Sequence, residues 1–298
     1  MALIESILEQ QLAAVGLDMG QLMESLTNAY LESRIDNKVV IRMVDHLHAA
    51  SDFQNFHSTM TAARRDKYAS TPRAPLVGAA LAEWPEPPAD LPPDLHDHLL
   101  KIRALVDAGE EEGFRNLTDR KWIRVDARPS DCPGCRVNLV RIKVPDFGVP
   151  PEAACDMIVN PDMRTRWDSA IATASYLRGG SGDDDYDLGL TIAGPLGMSN
   201  RCLHFHITKL RDYPVPGAIV LLMRRTPTDY PLGRGEIKVA IHTCGVLARP
   251  NGPESCEYTV IDNIDVGIGA FMQNQFMARM WPTIMSKCEK AYKRLFAA

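Results

Sequence analysis

Apolar residues recur every three or four positions through "LIESILEQQLAAV", "MGQLMESLTNAYLE" and "NKVVIRMVDHLHAA", the spacing of one buried helix face. Asp52 stands at the N-cap position of a further helix, "FQNFHSTMTAARR". The spacing predicts a small helical bundle over residues 1–70. From Pro72 to Pro93 seven prolines interrupt the chain, removing backbone donors and favouring extended conformations, so residues 71–93 are expected to be a linker. One more amphipathic helix is predicted from Asp94, in "DLHDHLLKIRALVDAGEEEGF", and after it the apolar period falls to two.

Period two predicts strands in "KWIRVDAR", "RVNLVRIKV", "ASYLRG", "YDLGLTIA", "RCLHFHITKL", "GAIVLLMRRT", "GEIKVAIHTCGVLAR" and "CEYTVIDNID", with turns at "GGSGDDD", "DYPVPG" and "NGPES". Between the second and third strands, "VPPEAACDMIVNPDMRTRWDSAI" is helical in composition and broken at Asn160-Pro161. The chain closes on a helix expected over 268–296, whose apolar stripe includes Phe271, Met277, Trp281, Met285 and Cys288 and is too wide for a seam, so most of its length must be buried. Pro282 removes one hydrogen bond of that helix and predicts a kink near Ala278. The fold class is therefore α+β: a curved antiparallel sheet around a long C-terminal helix, forming one domain over 94–298.

Composition narrows the partners. With 298 residues, 45% hydrophobic, a net charge of -5 and a pI near 5.9, the chain reads as globular and carries no general attraction for nucleic acid. No apolar run spans a bilayer, and the acidic start lacks the pattern of a signal peptide, which predicts a cytoplasmic protein. Seven cysteines without framework spacing read as reduced thiols. The one close pair, "CPGC" at Cys132 and Cys135, has Pro-Gly at its centre and reads as a type II hairpin turn rather than half of a metal site. "GGSGDDDYD" lacks the full calcium-loop pattern. No nucleophile–base spacing, phosphate loop or metal spacing points to catalysis, and no cofactor is expected.

"RTRWDSA" after a helix, "PLGMSNRCLHFH" opening a middle strand and a Met-rich terminal helix together resemble the START family of lipid-transfer domains, from Asp94 to the C-terminus. The resemblance implies a helix-grip fold enclosing one lipid in a tunnel, without chemistry. Arg201 and Asn200 would tie strand ends together. Leu203, Phe205 and Ile207 share the strand face that points toward lipid or helix, and His204 and His206 the opposite, outward face. Leu190 on a neighbouring strand, with Phe271, Gln275, Ala278, Trp281 and Met285 on the terminal helix, completes the expected ligand contacts.

Asn160 as cap and Pro161 at the first helical position set Arg164 and Asp168 four apart, side by side. The resemblance puts Arg164 near a lipid phosphate, which suits a guanidinium, and Trp167 is expected in the core. Leu190 falls where phosphatidylcholine carriers place a choline-caging tryptophan, and Leu188 and Ile207 fall where sterol carriers place an acid–base pair. A phospholipid or other acyl lipid is the expected ligand, carried between membranes by transient surface contact. The loops "DYPVPG" and "TPTDYPLGRG", with Arg224, Arg225 and Arg234, are the candidate door and membrane contacts. "DFQNFHSTMTAARR" resembles effector domains that bind Arf-like G proteins, implying a protein partner for residues 1–70. The alternative reading is a lipid sensor that reports through that region.

Overall fold

The computed structural model describes residues 84–194, 199–267 and 270–296, and of these it leaves aside the side chains of Asp119, Phe271, Met272, Gln275, Ala278 and Arg279. The helical bundle expected over 1–70 and the turn residues 195–198 lie outside the described residues. Helix α1 (Pro93–Asp107) leads into strands β1 (Arg115–Arg120), β2 (Ile123–Pro129) and β3 (Asn138–Phe147), then the short helices α2 (Pro151–Val159) and α3 (Pro161–Trp167). Strands β4 (Ile171–Arg178), β5 (Asp185–Ile192), β6 (Asn200–Arg211), β7 (Ile219–Arg225), β8 (Glu236–Lys238), β9 (Ala240–Gly252) and β10 (Ser255–Asp265) follow, and α4 (Ala270–Phe296) closes the chain.

The strands form one sheet in the order β1-β2-β3-β10-β9-β7-β6-β5-β4, antiparallel along this path, with β8 paired in parallel to the start of β6. The central position of β10 and β9, the last strands made, joins the first three strands to the later meander. Two strands depart from the pattern reading. β1, "RNLTDR", is a polar edge strand with no apolar alternation to betray it. "GEIKVAIHTCGVLAR" divides into β8 and β9, because Val239 donates its N–H to the Cys202 carbonyl at 3.1 Å and ends the parallel pairing. The "CPGC" turn forms as expected: Cys135 N–H donates to the Cys132 carbonyl at 3.1 Å, and Gly134 takes the φ of 77° that a type II turn requires.

Alternation gives the sheet two buried faces. The inner one carries Val125, Ile142, Val246, Leu221, Phe205 and Leu188 in a single cluster with α2, Trp167 and the buried face of α4. The outer one carries Leu139, Val220, Leu222, Leu247 and Ile261 under the apolar stripe of α1, Leu95, Leu99, Ile102, Leu105 and Val106. α1 approaches closely because Gly245 has no side chain: a Cβ there would meet Ile102 Cδ1 at 2.8 Å.

The linker reading needs a correction at its C-terminal end. Trp84 is buried against the outer cluster, its ring centroid 5.8 Å from that of Tyr213 and beneath the guanidinium of Arg249. Tyr213 OH donates to the Pro85 carbonyl at 3.0 Å. Prolines forbid helix and strand here, yet they do not forbid packing, and one large aromatic in the segment supplies the anchor.

Candidate functional site

The helical break at Asn160 sets the site. Asn160 Oδ1 accepts from the N–H groups of Asp162 (3.0 Å) and Met163 (3.3 Å), Pro161 occupies the first position of α3, and Trp167 Nε1 donates to the Met157 carbonyl at 2.8 Å. These bonds lock α3 against α2 and bury Trp167, as expected. Arg164 and Asp168 are buried as well, their charged atoms 2.5 Å apart, and the guanidinium lies 4.6 Å from the Trp167 ring. Asp168 Oδ1 also accepts from Ala170 N–H at 3.1 Å. Arg164 Nε has no hydrogen-bond partner among the described residues, so part of its donor fork stays unused.

The same pair looks into the inner face. The positive charge of Arg164 acts on the Tyr258 hydroxyl of β10 and on the Cys288 thiol of α4. Burial dominates at both: it raises Tyr258 well above its ordinary value and pushes Cys288 up to about 12, so neither ionises near neutrality. Tyr258 Oη is another buried polar atom without a partner. Arg164 Nε and Tyr258 Oη are thus two unmatched polar atoms set into an apolar interior.

Leu190, Leu203, Phe205 and Ile207 take the inner face with Trp281 and Met285 of α4, while the side chains of Phe271, Gln275 and Ala278 lie outside the described residues. The inner face is not uniformly closed. Leu188, Ile207, Tyr258 and Met285 are 0% exposed, whereas Met223, Ile241, Val260, Met277 and Trp281 keep 6–8%. Residual exposure therefore runs along the N-terminal half of α4 and recurs at Arg164 and Trp167, each 9% exposed.

His204 and His206 correct an expectation. They do face away from the inner cluster, but that side is buried rather than solvated, because the segment after β7 folds back over it. His206 Nδ1 lies 2.8 Å from Asp187 Oδ1, and Asp187 Oδ2 accepts from Tyr230 OH at 2.7 Å and Thr226 OH at 3.3 Å. The His204 ring meets Tyr230 edge-on, and burial lowers its pKa. The cluster fastens the strap over β5 and β6. Arg201 ties strand ends as expected, its Nε donating to the Val266 carbonyl at 3.1 Å. Arg224, a candidate membrane contact, instead pairs with Asp94 of α1.

Sequence reasoning missed Asp262. In "CEYTVIDNID" it falls on the same parity as Tyr258 and Val260, so an acid at an apolar position of a strand was the legible signal. Its cross-strand neighbours are Val140 and Cys244, both on the inner face. Burial pushes its carboxyl up to about 7.

Comparison with solved structures identifies the architecture. Human STARD10 superposes with a TM-score of 0.57 at 18% identity, covering 75% of this chain and 88% of that one. Human StAR-related lipid transfer protein 5 gives 0.56 at 18% identity over 66% and 94%, and the lipid transfer and protein localization domain of human StarD13 (DLC2) gives 0.53 at 14% over 67% and 98%. The described domain has the START helix-grip fold. Residues 1–69 match the family profile described as the ARF-like 2 binding protein BART. No curated protein matches the chain.

Proposed function

We propose that the domain binds one acyl lipid, a phospholipid in the first instance, between the inner sheet face and α4, and carries it between membranes without chemistry. The observation that supports this reading is Arg164, buried on the apolar side with donor capacity left over beside Trp167 and Tyr258. A phosphate offers the acceptors that this guanidinium lacks. Each methylene exposed to water costs about 0.8 kcal/mol, so an apolar interior at the membrane surface lowers the barrier to leaving a bilayer. No helix among the described residues is long and apolar enough to cross a membrane; exposed Leu232 beside Arg234 is the surface proposed to touch one. Native mass spectrometry with lipid extraction tests occupancy, and lipid exchange between vesicles tests transfer. A protein that emerges empty and takes up no lipid from vesicles would overturn the proposal.

A second reading is favoured by the profile match over residues 1–69. In it, the N-terminal region binds a small ARF-like G protein and couples that partner to lipid occupancy. Full-length protein should then capture purified ARF-like 2 protein, and Phe53→Ala with Phe56→Ala should abolish capture. Equal capture by both proteins would sink the idea as framed.

A further inference from the structure

We infer that Asp262 and the indole of Trp281 form a second polar subsite in the interior, one that takes a hydroxyl group carried partway along an acyl chain. The inference rests on the lipid-binding reading above and names a feature of the ligand.

Asp262 stands between Val140 and Cys244 on the inner face and is 6% exposed. Its Oδ1 has no hydrogen-bond partner among the described residues. Trp281 of α4 packs in the inner cluster as the neighbour whose N–H eases the acid's burial, yet Trp281 Nε1 has no hydrogen-bond partner among the described residues either. An unmatched buried carboxyl is costly, and a lone apolar chain would leave it so. The other buried aspartates have partners: Asp126 two arginines, Asp168 Arg164, and Asp187 a histidine, a tyrosine and an arginine.

The chemistry of the two groups selects the ligand. The carboxyl needs a donor and the indole N–H needs an acceptor, and a hydroxyl supplies both from one oxygen. A phosphodiester supplies only acceptors, so it offers Oδ1 no donor and is repelled whenever the carboxyl is ionised. Trp281 lies seven residues along α4 from Cys288, which feels the Arg164 charge, so the two polar points are ~10 Å apart along the helix. Four residues of β10 separate Asp262 from Tyr258, or ~13 Å. A lipid with an acidic head and a hydroxyl near mid-chain can meet both points; a sterol, with one polar group, meets one.

The probes are stearic acid and hydroxystearic acid bearing its hydroxyl at mid-chain, titrated into the full-length protein. A purely apolar interior favours stearic acid, because the hydroxyl must be desolvated. The subsite reverses the order and should favour the hydroxy acid by about tenfold. Asp262→Leu and Trp281→Phe are each expected to bring the ratio of affinities close to one or below, and Asp262→Asn, which keeps an acceptor, to preserve most of it. If Asp262→Leu does not fold, Trp281→Phe decides. Wild-type protein that binds both acids without favouring the hydroxy form, or a preference that survives both Asp262→Leu and Trp281→Phe, overturns the subsite and leaves lipid binding standing. Failure to bind either acid, or any lipid from vesicles, removes the lipid-binding reading and this inference with it.

Discussion

The two faces of the sheet each bury an arginine–aspartate pair, and the pairs are satisfied very differently. On the outer face Arg141 donates to Asp126 at 2.9 Å and to the carbonyls of Leu105 (3.0 Å) and Ala108 at the end of α1, with its guanidinium 4.1 Å from the Phe114 ring. Asp126 also accepts from Arg124 at 2.7 Å. On the inner face Arg164 makes one 2.5 Å ion contact and stacks on one ring. Both arginines keep an unpartnered Nε, so neither burial nor that atom separates a structural arginine from one available to a ligand; the acceptors around the terminal nitrogens do, three for Arg141 and one for Arg164. The outer pair closes the polar positions of the last turn of α1, where exposed carbonyls favour a cation. The inner pair sits at the C-terminal end of its own short helix, where Asp168 is the cap residue of α3 and Arg164 lies in its last turn, but no carbonyl of another element accepts from Arg164 among the described residues.

The sharpest way to break this contrast is Arg141→Met. It strips Asp126 of its buried partner and α1 of its terminal donor, and should cost about 3–5 kcal/mol of stability. Denaturant melts measure the loss, and the folded fraction should keep its lipid affinity. An Arg141→Met protein that melts like wild type would mean the outer network is not structural.

Asp262 gives the inner face its own signature. Its folded pKa of about 7 lies above the ordinary value of 3.8, so between those values the folded state holds a proton that the unfolded chain has lost. Stability from this group is full below that window, falls as pH rises through it, and is gone above about 7. The contribution is at most about 4 kcal/mol. Among the described residues, the titrating side chain paired across the ladder from Asp262 is Cys244, which burial keeps protonated across the window. Asp262→Asn should flatten this part of the pH profile, and an unchanged profile in thermal melts would count against the buried acid.

Returning to the outer face, a protein that begins near Ala80 should be as stable as the full-length domain, whereas one that begins at Asp94 loses Trp84. The missing indole uncovers Tyr213 and Arg249 and should cost about 3 kcal/mol, with Trp84→Ala in the full chain costing a similar amount. Equal melting of the two truncated forms would return the segment to a simple spacer.

The smallest expected effect is the most specific. Arg164→Met should weaken phospholipid binding by about 1.5–3 kcal/mol and leave a neutral apolar probe nearly unaffected. Binding assays for both ligands, run beside melts, check it. Equal loss for both, or a loss confined to the melting temperature, would make Arg164 the structural equal of Arg141 and erase the distinction between the faces.

Much of the domain was readable along the chain because its signals are local. Period two in β5 to β7, period 3.6 in α1 and α4, the Asn160-Pro161 break and the Pro-Gly turn of "CPGC" each depend on neighbours a few residues away, and each appears where the pattern places it. The strand β1 escaped because an edge strand of polar residues carries no burial pattern, and the break between β8 and β9, inside one expected strand, escaped because the partner of β8 lies some 36 positions back along the chain. The sequence also determined that Arg164 and Asp168 would sit together, since helical spacing is enough for that. Only the tertiary structure decided which polar groups are saturated. Arg141 and Arg164 are both arginines among apolar residues, His206 alternates just as an outward residue should, and Asp262 stands at an inward position of β10 with nothing nearby in the chain to say whether a partner meets it. What distinguishes them is the count of partners contributed by distant elements: α1 over the outer face, the strap after β7 over the histidines, and α4 across from Asp262. Hydrogen-bond satisfaction is a property of the packed whole, and spacing along one strand does not contain it.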